Sequence, residues 1–216
     1  MLSRGAAAAL RGVLARKIAA EFGGMSKSEE SFMVGVSVRD FINFVKVDRG
    51  FLYDEYAPDE RAEAHIESLM EMKPAALASM LDEWFTLWAL KWRQRVKLAA
   101  KGDYDEEYAK RLEQAVKPFV DLPLYAEAKR FALGSLIKSG EVCFTDLLSD
   151  VVVKNSIYSM VSRGSSEEVR RVLERNPLLL INEVTNRVKA MARFKGPLVA
   201  LKLERVVFED GGLWLY

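Results

Sequence analysis

Three tryptophans in one segment carry the strongest chemical signal in the sequence. Trp84, Trp88 and Trp92 recur at helical spacing and so form one stripe, with Lys91 and Arg95 beside it. No acidic residue occurs between Phe85 and Gly102, which leaves Lys91, Arg93, Arg95, Lys97 and Lys101 as a positive segment. Cations attract phosphates and exposed indoles stack on unpaired bases. On that reading Trp88, Trp92, Lys91, Arg93, Arg95 and Lys97 form a nucleic-acid surface. The opposing reading is structural. Leu77 and Leu81 extend the same stripe, as on the inward face of a long helix whose cationic stems run out to water along its border.

A second basic cluster, Arg187, Lys189 and Arg193 with Lys195, leads towards Lys202 and Arg205. Brought together with the first it would make a groove for a nucleic-acid backbone; left alone it is a solvated helix face. The acidic clusters Glu29-Glu30, Asp103 to Glu107 and Glu167-Glu168 have the composition of magnesium or acid–base sites. The last two fall at expected helix starts, where carboxylates offset the helix dipole. The lone His65 sits in Ala64-His65-Ile66 with no nucleophile signature, and the lone Cys143 in an apolar stretch reads as a buried thiol. Gly23-Gly24 lacks the lysine-serine context of a phosphate loop. These residues point to no metal, no cofactor and no catalytic constellation.

The elements that must position these side chains are mostly helical. The chain has 216 residues, 50% hydrophobic and 29% charged, enough to bury a core without disulfides. A formal charge of +1 gives no overall field for a polyanion, so any such binding rests on a local patch. One cysteine suits a reducing, cytoplasmic setting. Two glutamines and three threonines, beside abundant Lys, Arg, Glu, Val and Leu, resemble the composition of heat-adapted and archaeal proteins. No run approaches the roughly 20 apolar residues that span a bilayer.

Residues 1–24, alanine-rich and without an acidic residue before Glu21, read as a basic helix, an extension or a transit-like segment. A helical domain is expected over 25–196, with a subdivision near residue 140. Ser37 is placed to cap a short helix through Lys46, and another helix spans Asp59 to Met72. Pro74 opens a long one, free of glycine and proline over 75–101; Asp103 with Glu106 offers a capping box. Further helices start at Asp121-Pro123 and run over Thr145 to Arg163, after a short extended piece from Glu141 to Phe144. Ser165 with Glu168 is a second capping box, and Pro177 opens the last helix, ended by Gly196-Pro197. Residues 197–216 change to strand alternation around Gly211-Gly212, which predicts a β-hairpin packed on the helices. The fold class is mainly α: a multi-helix bundle of about eight helices with a small C-terminal β-hairpin.

The run from Phe131 to Phe144, followed by Asp146-Leu147-Leu148, resembles the N-terminal helical domain of the archaeal and eukaryotic primase large subunit. In that family a helix leads through a glycine turn and a short extended segment into another helix. The resemblance implies a non-catalytic subunit that contacts a catalytic partner and primer-template nucleic acid. A single cysteine supplies no iron–sulfur cluster, so the resemblance is to the helical domain alone. The segment from Trp92 to Ala99 is also similar to the central helix of GINS-type replication subunits. The sequence therefore leads to two expectations. One is a non-catalytic subunit of a nucleic-acid-handling complex, of the DNA replication or priming kind, that docks a protein partner and contacts phosphate. The other is a purely protein-binding helical adaptor; neither involves a membrane.

Overall fold

A computed structural model describes residues 2–54, 57–99, 106–193, 206–209 and 212–215; of 95–99, 106, 192–193 and the last two segments only the backbone is described. Among these residues the chain is mainly helical, with nine α-helices where the spacing predicts about eight. It divides into two compact units, one of Met1–Gln94, Gly140–Thr145 and Val207–Trp214, the other of Arg95–Ser139, Asp146–Val206 and Leu215–Tyr216.

In the first unit α1 (Arg4–Phe22) starts at Ser3, whose hydroxyl accepts from Ala6 N–H at 3.2 Å. The alanine-rich stretch is therefore a helix, and it turns Leu10, Leu14 and Ile18 into the core against α2. α2 (Lys27–Asp48) is one long helix rather than a short one from Ser37. A capping box of Ser26 and Glu29 starts it, and Ser37 lies buried in mid-helix, donating to Val34 C=O at 2.9 Å. α3 (Pro58–Met72) and α4 (Pro74–Ala99) both open on a proline, whose fixed φ suits the first helical turn. Lys46, buried on α2, meets Asp59 at the start of α3 at 2.5 Å, and Arg39 reaches the same carboxylate at 3.1 Å. Burial works to raise the Asp59 carboxyl, but the two cations outweigh it and hold it below the ordinary value.

The second unit contains α5 (Glu106–Val116), α6 (Pro123–Lys138), α7 (Thr145–Val161, from Asp146), α8 (Ser166–Arg175) and α9 (Leu178–Arg193). The capping box expected at Ser165 is present: Glu168 N–H donates to Ser165 Oγ at 3.2 Å and Ser165 N–H to Glu168 Oε2 at 3.0 Å. Tyr125 on α6 donates to Asp150 on α7 at 2.8 Å, and Lys129 and Lys154 flank that carboxylate. Burial, then the Asp150 charge, pushes the Tyr125 phenol above its ordinary value, so it stays a donor. Tyr108 on α5 donates to Asn155 on α7 at 2.5 Å. These bonds fasten α7 to both neighbours, while α6 packs on α9.

Val206–Glu209 and Gly212–Leu215 are two short strands that, among the described residues, pair with each other. The turn between them and the expected packing of their side chains on the helices lie outside the described residues, as does the capping box of Asp103 with Glu106.

Candidate functional site

α4 decides between the two readings of the tryptophan stripe. Trp84, Trp88 and Trp92 are exposed by only 2%, 0% and 3%, so all three rings are core. Trp88 and Trp92 offer no face to a base, which corrects the expectation that they form a stacking platform. The physical reason is the length of the apolar stripe: Leu77, Leu81 and Phe85 are buried with them, and every indole has an aromatic neighbour. Phe41 lies 5.1 Å from Trp84, Trp88 lies 5.1 Å from Trp92, and Phe144 lies 4.3 Å from Trp92, centroid to centroid. Phe22 meets Trp88 edge-on at 6.3 Å.

At the middle of this cluster sits a buried carboxylate, Asp40 of α2. Its Oδ2 accepts from Trp88 Nε1 at 2.9 Å and from Phe144 N–H at 2.8 Å; its Oδ1 accepts from Thr145 N–H and Thr145 Oγ1, both at 2.8 Å. Asn43, one turn along α2, donates to Thr145 Oγ1 at 3.3 Å. Burial pushes the Asp40 carboxyl up to about 6, against the downward pull of these donors, so it is charged at neutral pH. The node holds the segment 140–145 in an unusual path. Glu141 to Phe144 is no strand: Gly140 has φ 89° and Phe144 φ 59°, both left-handed. Cys143 is buried in this segment, as its apolar surroundings predict.

The cations chosen from the sequence fare differently from one another. Lys91 is half-buried. Arg93 is exposed, but its guanidinium pairs with Glu21 at 2.7 Å and lies 5.5 Å from the Phe22 ring centre. The side chains of Arg95, Lys97 and Arg193 lie outside the described residues. Arg187 is half-buried beside Glu183 at 3.8 Å; burial pulls its guanidinium below the ordinary value while Glu183 opposes that. Lys189 is exposed on α9. Lys91 and Arg93 belong to the first unit and Arg187 and Lys189 to the second.

The side of α4 away from the indoles presents Leu87 and Leu90, exposed by 54% and 52%. Their three-residue offset is legible in the sequence once the tryptophans are known to face inward. Asp40 had no such signal, because its partners lie far along the chain. His65 meets Phe51 at 5.9 Å, and burial lowers its pKa. Among the described residues no group of three or more His, Cys, Asp or Glu is placed to hold a metal, and no helix is long and apolar enough to cross a membrane. Comparison with protein-family models, with curated proteins and with solved structures yields no match.

Proposed function

We propose that this chain is a non-catalytic helical subunit that docks a partner protein through the outer face of α4. The observation that supports it is the exposed pair Leu87 and Leu90 on a helix whose opposite face is filled by three indoles. Two leucines three residues apart are the pattern that an amphipathic helix packs against. The inner tryptophans make the presenting helix rigid, which lowers the ordering cost of association. The occupant is an amphipathic helix of the partner subunit, and the C-terminal strand pair offers a second edge to the same assembly.

Co-purification from the native source tests this reading. A tagged wild-type chain retains a stoichiometric partner, and Leu87→Glu with Leu90→Glu loses it while tryptophan emission stays unchanged. Retention of the partner by the double variant overturns the docking face.

A second reading, that the assembly handles nucleic acid, is favoured by the acid-free run from Phe85 to Gly102 and by the resemblance of the 131–148 region to the primase large subunit. With the indoles buried, contact is limited to phosphate, from Lys91, Arg93, Arg95 and Lys97 on α4 and Arg187, Lys189 and Arg193 on α9. Salt-dependent binding of single-stranded or primed DNA is its readout. Wild-type chain that binds neither at low salt refutes it.

A further inference from the structure

The outer side of α4 carries more than its two leucines. Glu83, Leu87, Leu90 and Gln94 are all exposed and follow one another at intervals of four, three and four residues. That alternation keeps them on one seam, because it averages close to the 3.6 residues of a helical turn. The indoles line the other side, so α4 has two seams, an inner one filled by its own chain and an outer one open to solvent.

The outer seam is symmetric about its centre. Glu83 stands four residues before Leu87 and Gln94 four residues after Leu90, which places a carboxylate acceptor and an amide donor at equal distances from the leucine pair. The two are about 16 Å apart along the axis, at 1.5 Å per residue. Charge divides in the same way. Glu83 precedes the leucines and Lys91 follows them, and among the described residues neither forms an ion pair. Asp82 and Arg93, by contrast, turn back onto α1 and are committed to Lys17 and Glu21.

Such a seam is complementary to itself when a second copy runs antiparallel. With a two-fold axis between Leu87 and Leu90, Leu87 of each copy meets Leu90 of the other, and Glu83 of each meets Gln94 of the other with Lys91 close by. Every contact then occurs twice, as a closed pair requires. A parallel arrangement would set Glu83 against Glu83 and Lys91 against Lys91, and like charges across an interface are costly. An unrelated helix needs no such symmetry in the seam that it covers.

We propose that the partner on the outer face of α4 is a second copy of this chain, the two α4 helices packing antiparallel about Leu87 and Leu90. The inference rests on the docking reading above and names its occupant.

Sedimentation velocity of the full chain at about 1 to 300 µM tests it. Wild type is expected to pass from 24.4 kDa towards twice that mass as concentration rises, and Leu87→Glu with Leu90→Glu to stay monomeric throughout. Glu83→Lys alone puts a cation beside Lys91 and Gln94 of the other copy, twice per dimer, and should weaken pairing by about tenfold or more. Adding Lys91→Glu reverses the charge pattern and should return the dissociation constant to within about threefold of wild type. Tryptophan emission, from indoles on the buried side of the helix, reports that each variant folds. Dimers that the leucine double variant retains overturn the α4 interface, and an unaltered dissociation constant for Glu83→Lys overturns the antiparallel pairing. Wild type that remains monomeric at 300 µM overturns self-association. The docking reading survives that result if the tagged chain from the native source retains a different protein through the same two leucines, and falls with it if nothing is retained.

Discussion

The indole N–H of Trp88 donates to a carboxylate oxygen of Asp40 at 2.9 Å, and that oxygen also accepts from the backbone N–H of Phe144. One buried acidic side chain thus ties together α2, α4 and the segment 140–145. Among the described residues no cation pairs with it; its charge is spread over four donors, which is how a buried carboxylate survives without a salt bridge.

Replacing Asp40 by Asn is expected to destabilise the chain by about 2–4 kcal/mol, because the amide turns an N–H pair towards donors that then have no acceptor. Trp88→Phe removes one donor and leaves a cavity where the rest of the indole stood, at a cost of about 2–4 kcal/mol. Because both changes act on one bond, their costs should fall short of additivity by about 1 kcal/mol in a double-mutant cycle from urea unfolding. Additive costs would mean that the two groups do not interact.

The same carboxylate sets a pH dependence. Its native value of about 6 lies above the 3.8 of an unperturbed aspartate, so between pH 4 and 6 the native chain binds a proton that the unfolded chain has lost. Stability from this group is therefore fullest below about pH 4 and falls as pH rises through 6, by on the order of 2–3 kcal/mol. Asp59 works in the opposite sense: its lowered value contributes stability above pH 3.8 that is lost on further acidification. Wild type minus Asp40→Asn, measured by urea unfolding at pH 4, 5, 6 and 7, should show stability declining towards pH 7. A flat difference would show that Asp40 does not titrate in that window.

What could be read from the sequence depended on how far apart the interacting residues lie. Pro74, Pro123 and the pair Ser165 and Glu168 marked helix starts because caps act within one turn. Ser37 misled for the same local reason: Ser37 and Asp40 have the spacing of a capping box, but α2 begins at the rival pair Ser26 and Glu29. Asp40 instead serves Phe144 and Thr145, 104 and 105 residues on, and spacing rules carry no information about such a contact. The tryptophan stripe was legible as a stripe, and its continuation through Leu77 and Leu81 pointed inward. The pairing of Arg93 with Glu21 was not legible, since only the docking of α1 brings that carboxylate to α4.

Two non-glycine residues with left-handed backbone make a final, paired test. Ala57 has φ 51° at the start of α3, is exposed, and accepts from Arg61 N–H at 3.1 Å. An alanine there costs roughly 1–2 kcal/mol relative to glycine in the native state, and the freer unfolded glycine chain takes back about 0.5–1. Ala57→Gly should therefore raise stability by about 0.5–1 kcal/mol. Phe144 has nearly the same backbone angle, φ 59°, and gains the same relief as glycine. It also loses a buried ring 4.3 Å from Trp92, worth about 3–5 kcal/mol, so Phe144→Gly should unfold at lower urea than wild type. Opposite signs at two equivalent backbone positions would separate strain from packing. A stabilised Phe144→Gly would mean that the ring contributes less than the strain it imposes.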